Sequence, residues 1–242
     1  MLQGLYSAAA GMAAQQQRID AVSNDVANVS TAGYKKTKLA FRDLAYAEAS
    51  TGQGVRAGAG AAVMSVGRSQ QAGAIEVTGQ PLDVAIAGDG YLPVRRADGQ
   101  LGLTRQGALR LDVDRRLVTA AGDRVEPNIV VPPNVALEDV AIGPDGTVTA
   151  AGRALGRIQL RDVPAPAGLL EAGDSVLVPT QASGAVRNAG DATIQQGALE
   201  RSNVDMGEAM VDLMEAQRSY TLASRALQTQ DQLLETANGI RR

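Results

Sequence analysis

The sequence predicts an α+β protein with two long terminal helices packed as a coiled coil and a central all-β, hairpin-rich domain. Near both ends of the chain, large apolar residues recur every seven positions, a spacing that keeps one side of a helix facing another helix. Between the ends, short apolar runs alternate with turn dipeptides, as in strands joined by hairpins. We therefore expect an N-terminal helix at 1–33, a linker with a mobile Gly-rich loop at 34–62, a β domain at 63–198 and a C-terminal helix at 199–242.

The N-terminal helix is predicted from two parallel rows of residues. The row of large side chains is Leu5, Met12, Ile19 and Val26. The row beside it is Ala8, Gln15, Val22 and Val29. Together they form a stripe with alternating spacings of about three and four residues, which is typical of a helix that packs on another helix. We expect the helix to run from residue 2 to about residue 30, with Gly33 as a left-handed cap.

The C-terminal helix is predicted from the same repeat and from the absence of Pro and Gly between Glu208 and Asn238. Ser202 and Asn203 are its expected cap. Its row of large side chains is Met206, Leu213, Tyr220, Leu227 and Leu234. A row of small residues lies beside it, with Gln230 as the exception: Ala209, Ala216, Ala223 and Ala237. Alanines let a second helix approach closely. We call the two rows of large side chains together the assembly seam, because they need helical partners.

The middle of the chain is predicted to be β structure from its alternation and its turns. Apolar and polar residues alternate at 109–113, and turn dipeptides separate the apolar runs. These turns are Gly88-Asp89-Gly90, Asp98-Gly99, Gly122-Asp123 and Asp145-Gly146. Because Asp-Gly between alternating runs is a strong hairpin signal, we expect a domain of hairpins.

The composition excludes several kinds of site. The 242 residues include no Cys and no His, which removes disulfides, thiolate nucleophiles, His-based triads and the usual zinc ligands. The net charge of −3 gives no reason to expect nucleic acid as a partner. No apolar run reaches the roughly 18 residues of a membrane span, and the N-terminus lacks the basic residue of a secretory signal. We predict no catalytic residue, no cofactor, no metal ion and no enzymatic activity.

Two clusters of charged residues are explained by turns and by solvent exposure, without a binding site. Asp98, Asp112 and Asp114 lie at expected hairpin ends without calcium-loop spacing, so we assign them to turns. The three lysines within residues 35–38 predict a solvated basic face.

The most distinctive stretch is residues 24–35. Asn24 and Asn28 lie four residues apart, which places them on one face of the predicted helix just before its end. An Asn inside a helix lowers stability unless its amide finds a partner. The two amides therefore bind a neighbouring segment or chain and fix its register, or they lie in solvent, and the spacing alone leaves both interpretations open.

This stretch resembles the signature of the bacterial flagellar rod and hook proteins, Asn-Asn-Leu-Ala-Asn-x-x-Thr-x-Gly-Phe/Tyr-Lys. The matching positions are Asn24, Ala27, Asn28, Thr31, Gly33, Tyr34 and Lys35. Asp25 and Val26 depart from it, since Asn and Leu are usual there. Further segments resemble the family in the same order along the chain, at 83–91, 104–109, 117–122, 200–204 and 215–220.

The resemblance implies a structural subunit of the flagellar basal-body rod, which polymerises through its terminal helices into a rigid helical tube that transmits torque to the hook. The implied partners are further copies of the chain, other rod and hook subunits, the ring proteins around the rod and the type III export apparatus. The implied location is the periplasmic part of the rod, reached without a cleaved secretory signal.

Three alternatives remain open from the sequence. Within the family, the length suits distal and proximal rod subunits, and residues 41–46 and 229–234 resemble the distal ones more. Outside it, the terminal repeats also fit a surface adhesin with coiled-coil ends. An enzyme with a carboxylate site in the β domain is the third alternative, although no cleft-forming motif supports it.

Overall fold

The computed structural model describes residues 2–43, 47–48, 56–57 and 60–240. The chain divides into two compact units. Unit 1 comprises Met1–Ala27, Thr37–Val66 and Asp205–Arg242, and unit 2 comprises Asn28–Lys36 and Gly67–Val204.

Unit 1 is built on two helices from opposite ends of the chain, α1 (Leu2–Ala27) and α2 (Met206–Ile240), which pack on each other. Four short strands accompany the helices: β1 (Thr37–Asp43), β2 (Ala47–Glu48), β3 (Arg56–Ala57) and β4 (Ala61–Arg68). β1 pairs with β4, and β2 pairs with β3. The α+β class is thus confirmed, whereas coiled-coil packing of the helices stays a prediction.

The end of α1 differs from the prediction. The helix ends at Ala27, so the expectation that it reaches about residue 30 is wrong. Residues 28–31 form a turn instead, in which the backbone N–H of Thr31 donates to the carbonyl of Asn28 at 3.0 Å. The Thr31 hydroxyl also donates to the Asn28 side chain at 3.1 Å. Short polar side chains that bond locally in this way compete with the helix, which is why it stops here.

Gly33 is not the cap of this helix, so that prediction is also wrong. It lies six residues beyond the helix end, with φ of +71°. A Cβ at this position would overlap the backbone carbonyl of Arg105. The left-handed conformation therefore serves a close approach between two backbone segments of unit 2, which only glycine permits.

The predicted Gly-rich loop falls largely on residues 51–55 and 58–59, which lie outside the described part of the chain. Of its described residues, Arg56–Ala57 pairs with Ala47–Glu48 as β3 with β2. The predicted linker also contains β1, a strand of seven residues.

Unit 2 consists of short antiparallel strands and two single-turn 3-10 helices at Leu137–Asp139 and Pro166–Gly168. Its strands are β5 (Ile75–Val77), β6 (Val84–Ala87), β7 (Leu92–Arg95), β8 (Leu101–Thr104), β9 (Leu109–Leu111), β10 (Leu117–Thr119), β11 (Arg124–Val125), β12 (Val140–Ile142), β13 (Thr147–Ala150), β14 (Arg153–Arg157), β15 (Arg161–Asp162), β16 (Leu170–Glu171), β17 (Val176–Val178), β18 (Arg187–Asn188), β19 (Thr193–Gln196) and β20 (Ala198–Glu200).

These strands form one large sheet and several small ones. The large sheet has seven strands in the order β16-β17-β8-β7-β11-β10-β9, and a three-stranded sheet has the order β12-β13-β14. Three pairs complete the unit: β15 with β18, β19 with β6, and β20 with β5. The last two pairs join the beginning of unit 2 to its end, because β5 and β6 precede the large sheet and β19 and β20 follow it.

Three of the four predicted turns connect paired strands. Asp98-Gly99 joins β7 to β8, Gly122-Asp123 joins β10 to β11, and Asp145-Gly146 joins β12 to β13. The hairpin expected at 88–90 is wrong, because β6 pairs with the distant β19 while β7 pairs with β8. The chain bends at residues 88–89, but tertiary contacts and not this bend determine which strand pairs with β6.

Aliphatic side chains from the strands of unit 2 form its core. Leu117, Val148 and Ile194 are buried in one cluster that spans the unit. A smaller cluster surrounds Tyr91 and Leu103. With so few aromatic residues, the core depends on many Val, Leu and Ile side chains, each contributing about 1.5–3 kcal/mol when fully buried.

Replacement of Gly33 by alanine should destabilise unit 2 more than the same change at Gly79. Both glycines have φ of +71°, so a Cβ at either position incurs about 1–2 kcal/mol of backbone strain. At Gly33 the Cβ also meets the backbone of Arg105, whereas nothing lies within 4 Å of a Cβ at Gly79. We expect Gly33→Ala to lower the free energy of unfolding by about 1–3 kcal/mol more than Gly79→Ala, as measured by urea titration. Equal losses would contradict the close approach.

Candidate functional site: the assembly seam and the motif junction

The part of the assembly seam on α1 is half-buried along its length. It comprises Leu5, Met12, Ile19 and Val26. The deepest side chains of α1 lie beside this row, at Ala14, Val22 and Asp25. The carboxylate of Asp25 accepts a hydrogen bond from the backbone N–H of Thr37 at 3.2 Å, so it is held within unit 1.

The part of the seam on α2 is less covered. Met206 is 41% exposed and Tyr220 is 38% exposed, while Leu213 and Leu227 are half-buried. The side chain of Leu234 lies outside the described part of the chain.

The row of small residues on α2 behaves in the opposite way. Ala209 and Ala216 are almost completely buried, at 1% and 0% exposure. Ala223 is half-buried, and the side chain of Ala237 lies outside the described part of the chain. The single chain thus buries the first two alanines of the row and leaves much of the row of large side chains open. Small side chains allow the close packing that buries these two alanines.

Sequence analysis missed further exposed apolar side chains on α2. They are Met210, Val211, Met214, Leu222 and Leu233. Met206, Met210 and Met214 follow one another at intervals of four, so they lie along one line of the helix, which we call the methionine row. This four-residue spacing is present in the sequence, but Met210 and Met214 do not belong to the seven-residue repeat. Met adapts its shape readily and is common at surfaces that bind other proteins.

An ionic contact joins the two helices. The guanidinium of Arg18 donates to Asp212 at 3.0 Å and to Glu215 at 2.9 Å. Arg18 and Asp212 are partly covered, whereas Glu215 is mostly exposed, so the contribution to stability is of the order of 1 kcal/mol or less. The contact shows that the turn of α1 with Arg18 lies beside the turn of α2 that holds Asp212 and Glu215.

The start of α2 corrects another expectation. The helix begins at Met206, and the side chain of Asp205 accepts the backbone N–H of Glu208 at 2.9 Å. Asp205 is therefore the N-cap, and the predicted cap at Ser202 and Asn203 is wrong.

The family-motif residues are divided between the two units. Asn24 and Ala27 are exposed in the last turns of α1, in unit 1. Asn28 lies beyond the helix end, so it does not share a helical face with Asn24 as predicted. Asn28 and Thr31 bond to each other in the turn that begins unit 2.

The last three motif residues are built into unit 2. Gly33 and Tyr34 are buried, and the Lys35 ammonium bonds to the Glu200 carboxylate and to the carbonyl of Gln71, the latter at 2.7 Å. The prediction of a solvated face for this lysine is therefore wrong, although Lys38 is exposed as expected.

Glu200 is the centre of this arrangement. Its side chain is 1% exposed and pairs with Lys35 and with Arg105, whose guanidinium lies 3.1 Å from the second carboxylate oxygen. The backbone N–H of Gly73 donates to the first oxygen at 2.8 Å. The Glu200 carbonyl in turn accepts the N–H of Gly33 at 2.7 Å. We call these five residues the motif junction.

The electrostatics of the junction follow from burial. Desolvation lowers the pKa of the Lys35 ammonium below its ordinary value, and the contact with Glu200 opposes that shift. Arg105 also donates to the carbonyl of Gly88 at 2.8 Å and lies over the ring of Tyr91 at 5.6 Å. All charged groups of the junction thus have polar or aromatic partners, as buried charges require.

A second set of contacts surrounds the junction. The Arg68 guanidinium lies 4.6 Å from the centre of the Tyr34 ring and donates to the carbonyl of Lys35 at 2.8 Å. The Asn203 side chain accepts the backbone N–H of Lys36 at 2.7 Å. Glu200, Asn203 and Arg105 all fall within segments singled out by sequence, yet their partners were not predictable from spacing.

The remaining acidic candidates serve turns. The side chain of Asp98 accepts the N–H of Gln100 at 2.9 Å, and that of Asp112 accepts the N–H of Arg116 at 2.8 Å. Within the described residues, no three acidic side chains come together as a metal site, and no described helix is long and apolar enough to cross a membrane.

Comparison with known protein families agrees with these features. The family described as "Flagella basal body rod protein" matches residues 5–35. "Flagellar hook protein FlgE/F/G D1 domain" matches residues 85–150, and "Flagellar basal body rod FlgEFG protein C-terminal" matches residues 195–240.

Individual relatives match over the full length. The flagellar basal-body rod protein FlgG of Borreliella burgdorferi is 34% identical, with 100% of both chains covered. FlgG of Caulobacter vibrioides is 34% identical over 99% of this chain and 100% of the relative. The flagellar hook-basal body complex protein FlhP of Bacillus subtilis is 32% identical, again over 100% of both chains. With its terminal helices, its motif at residues 24–35 and this full-length similarity, the chain belongs to the flagellar basal-body rod and hook protein family.

Proposed function

We propose that the chain is a structural subunit of the flagellar basal-body rod, of the distal rod type, which polymerises through its terminal helices into a rigid helical tube. The observation that carries the proposal is that α2 buries Ala209 and Ala216 while large apolar side chains along the same helix stay open. Full-length similarity to basal-body rod proteins supports the rod assignment. The resemblance of residues 41–46 and 229–234 to distal rod subunits supports the finer one, with the proximal rod as the alternative.

The energetics favour many weak contacts over a single strong one. A large apolar side chain contributes about 1.5–3 kcal/mol on full burial, and those of α2 are already about half covered. Association of two proteins costs about 4–15 kcal/mol in lost freedom of motion, so one partial contact on α2 barely offsets it. A subunit that touches several neighbours buries more surface for little further loss of freedom. Contacts of different surfaces that do not close into a ring produce an open helical polymer.

The proposed partners follow from this role: copies of the chain, other rod and hook subunits, the surrounding ring proteins and the type III export apparatus. The proposed location is the periplasmic part of the basal-body rod. Family membership argues against the adhesin, and no catalytic family matches the residues that the family comparisons cover. A screen for hydrolytic activity on dilute monomer tests the enzyme alternative.

Aspartate in the seam of α2 should block assembly while unit 2 still folds. Leu213→Asp and Leu227→Asp each place a charge where the proposal buries an apolar side chain, which is strongly unfavourable. We expect the critical concentration for polymer formation to rise at least about tenfold, corresponding to about 1.4 kcal/mol. Sedimentation velocity measures this concentration.

Val113→Asp provides the matched control, because Val113 is fully exposed in unit 2 and lies in neither helix. It should polymerise like the unmodified chain. Normal assembly of both seam variants would refute the seam assignment. A closed trimer that does not grow with concentration would favour the adhesin.

Limited proteolysis of the dilute monomer should trim both ends of the chain first and spare residues 63–198. Apolar seams without neighbours leave long helices marginal, because isolated helical segments depend on packing for most of their stability. Trypsin should cut after Arg218 and Arg225 in α2 before it cuts after the exposed Arg110 and Arg124 in unit 2. Mass spectrometry of the fragments gives the order.

The same digestion of sedimented polymer is the control, and there the sites in α2 should become protected. Termini of the dilute chain that resist trypsin as long as unit 2 does would contradict the dependence on neighbours.

A further inference from the structure

Three short segments connect unit 2 to the rest of the chain. Residues 28–36 follow α1 and lead into β1, residues 67–73 continue from β4, and residues 200–204 lead into α2. We call these three the base segments. Every covalent path from a helix to the sheets of unit 2 passes through one of them.

The base segments are bonded to one another through Glu200. Its carboxylate binds Lys35 of the first segment and the N–H of Gly73 in the second, and its own backbone carbonyl accepts the N–H of Gly33. The same carboxylate binds Arg105, which follows directly after β8 of the large sheet. One side chain thus links all three segments with each other and with the sheet.

Backbone contacts extend this linkage. The N–H of Ser69 donates to the carbonyl of Lys36 at 2.8 Å, and the N–H of Asn203 donates to the carbonyl of Tyr34 at 3.3 Å. The Asn203 amide also donates to the carbonyl of Gln71 at 2.9 Å. Each pair of base segments is therefore joined by at least one hydrogen bond besides those of Glu200.

The charge balance makes Glu200 the critical member. One buried carboxylate faces two cations, so its removal leaves Lys35 and Arg105 with buried and uncompensated charge. Loss of one partner from a buried ion pair is far more damaging than loss of an exposed pair. The nearby pair between Arg68 and Glu171 provides the contrast, because Glu171 is 47% exposed and Arg68 keeps its bond to the carbonyl of Lys35 without it.

We propose that Glu200 is the positioning residue that holds the three base segments of unit 2 together, and to the large sheet, as one joint. Its mechanical consequence, transfer of torque from helices to unit 2, rests on the proposed rod function. The joint itself is a property of the single chain and is tested on the single chain.

Hydrogen exchange of the full-length dilute chain, comparing Glu200→Gln with the unmodified protein, tests the proposal. Gln keeps the shape of the side chain and removes its charge. We expect protection to fall by about a hundredfold or more at the amides of Gly33, Lys36 and Gly73, which bond across the base segments. Amides of β10 and β13, which lie inside the sheets, should change by less than about threefold.

Glu171→Gln is the matched control and should leave protection in all three segments within about threefold. Two results would overturn the proposal. One is unchanged protection of the base segments in Glu200→Gln. The other is a loss spread evenly over base segments and sheets, or failure of the variant to fold, which would make Glu200 an ordinary core residue. Neither result depends on polymer formation, so failure of the joint is distinguishable from failure of the rod assignment.

Discussion

The fold depends on one constraint: helices from opposite ends of the chain pack on each other. The segments of unit 2 that connect to the rest of the chain must therefore lie close together. Antiparallel pairing of β6 with β19 and of β5 with β20 meets this requirement, because each pair joins the beginning of unit 2 to its end. The buried carboxylate of Glu200 completes the closure, since it bonds to Lys35 and to Gly73, each of which lies more than a hundred residues before it in sequence.

The second organising feature is that α2 buries small side chains within the chain and leaves large apolar side chains partly exposed. Alanines take the contact that the single chain satisfies, because small side chains permit a close approach. Large apolar side chains, including the methionine row, remain partly exposed. A contiguous exposed apolar surface on a helix is typical of an interaction site. The same helix thus combines an internal contact with a surface suited to neighbours, which connects the packing of one subunit to the proposed polymer.

The sequence anticipated the parts of the molecule that depend on local periodicity. The seven-residue repeats located both helices. The turn dipeptides Asp98-Gly99, Gly122-Asp123 and Asp145-Gly146 located three hairpins, because these signals act over a few residues. Errors arose where tertiary contacts decide the outcome. The helix ended at Ala27, Lys35 entered a buried ion pair, and β6 paired with β19 across more than a hundred residues. None of these partners is adjacent in sequence, so no local pattern could identify them.

By itself, the sequence determined the α+β class, the places of the two long helices and the family motif, because apolar spacing and residue identity suffice for these. Only the tertiary structure decided what the motif does within the chain. Gly33 is a glycine because Arg105 passes close to it, and Lys35 is buried because Glu200 neutralises it. It also decided which row of α2 faces inward. The physical reason is the same in each case. Close backbone contacts and buried charges arise between segments that meet only after folding, whereas helical periodicity depends on residues that are close together in sequence.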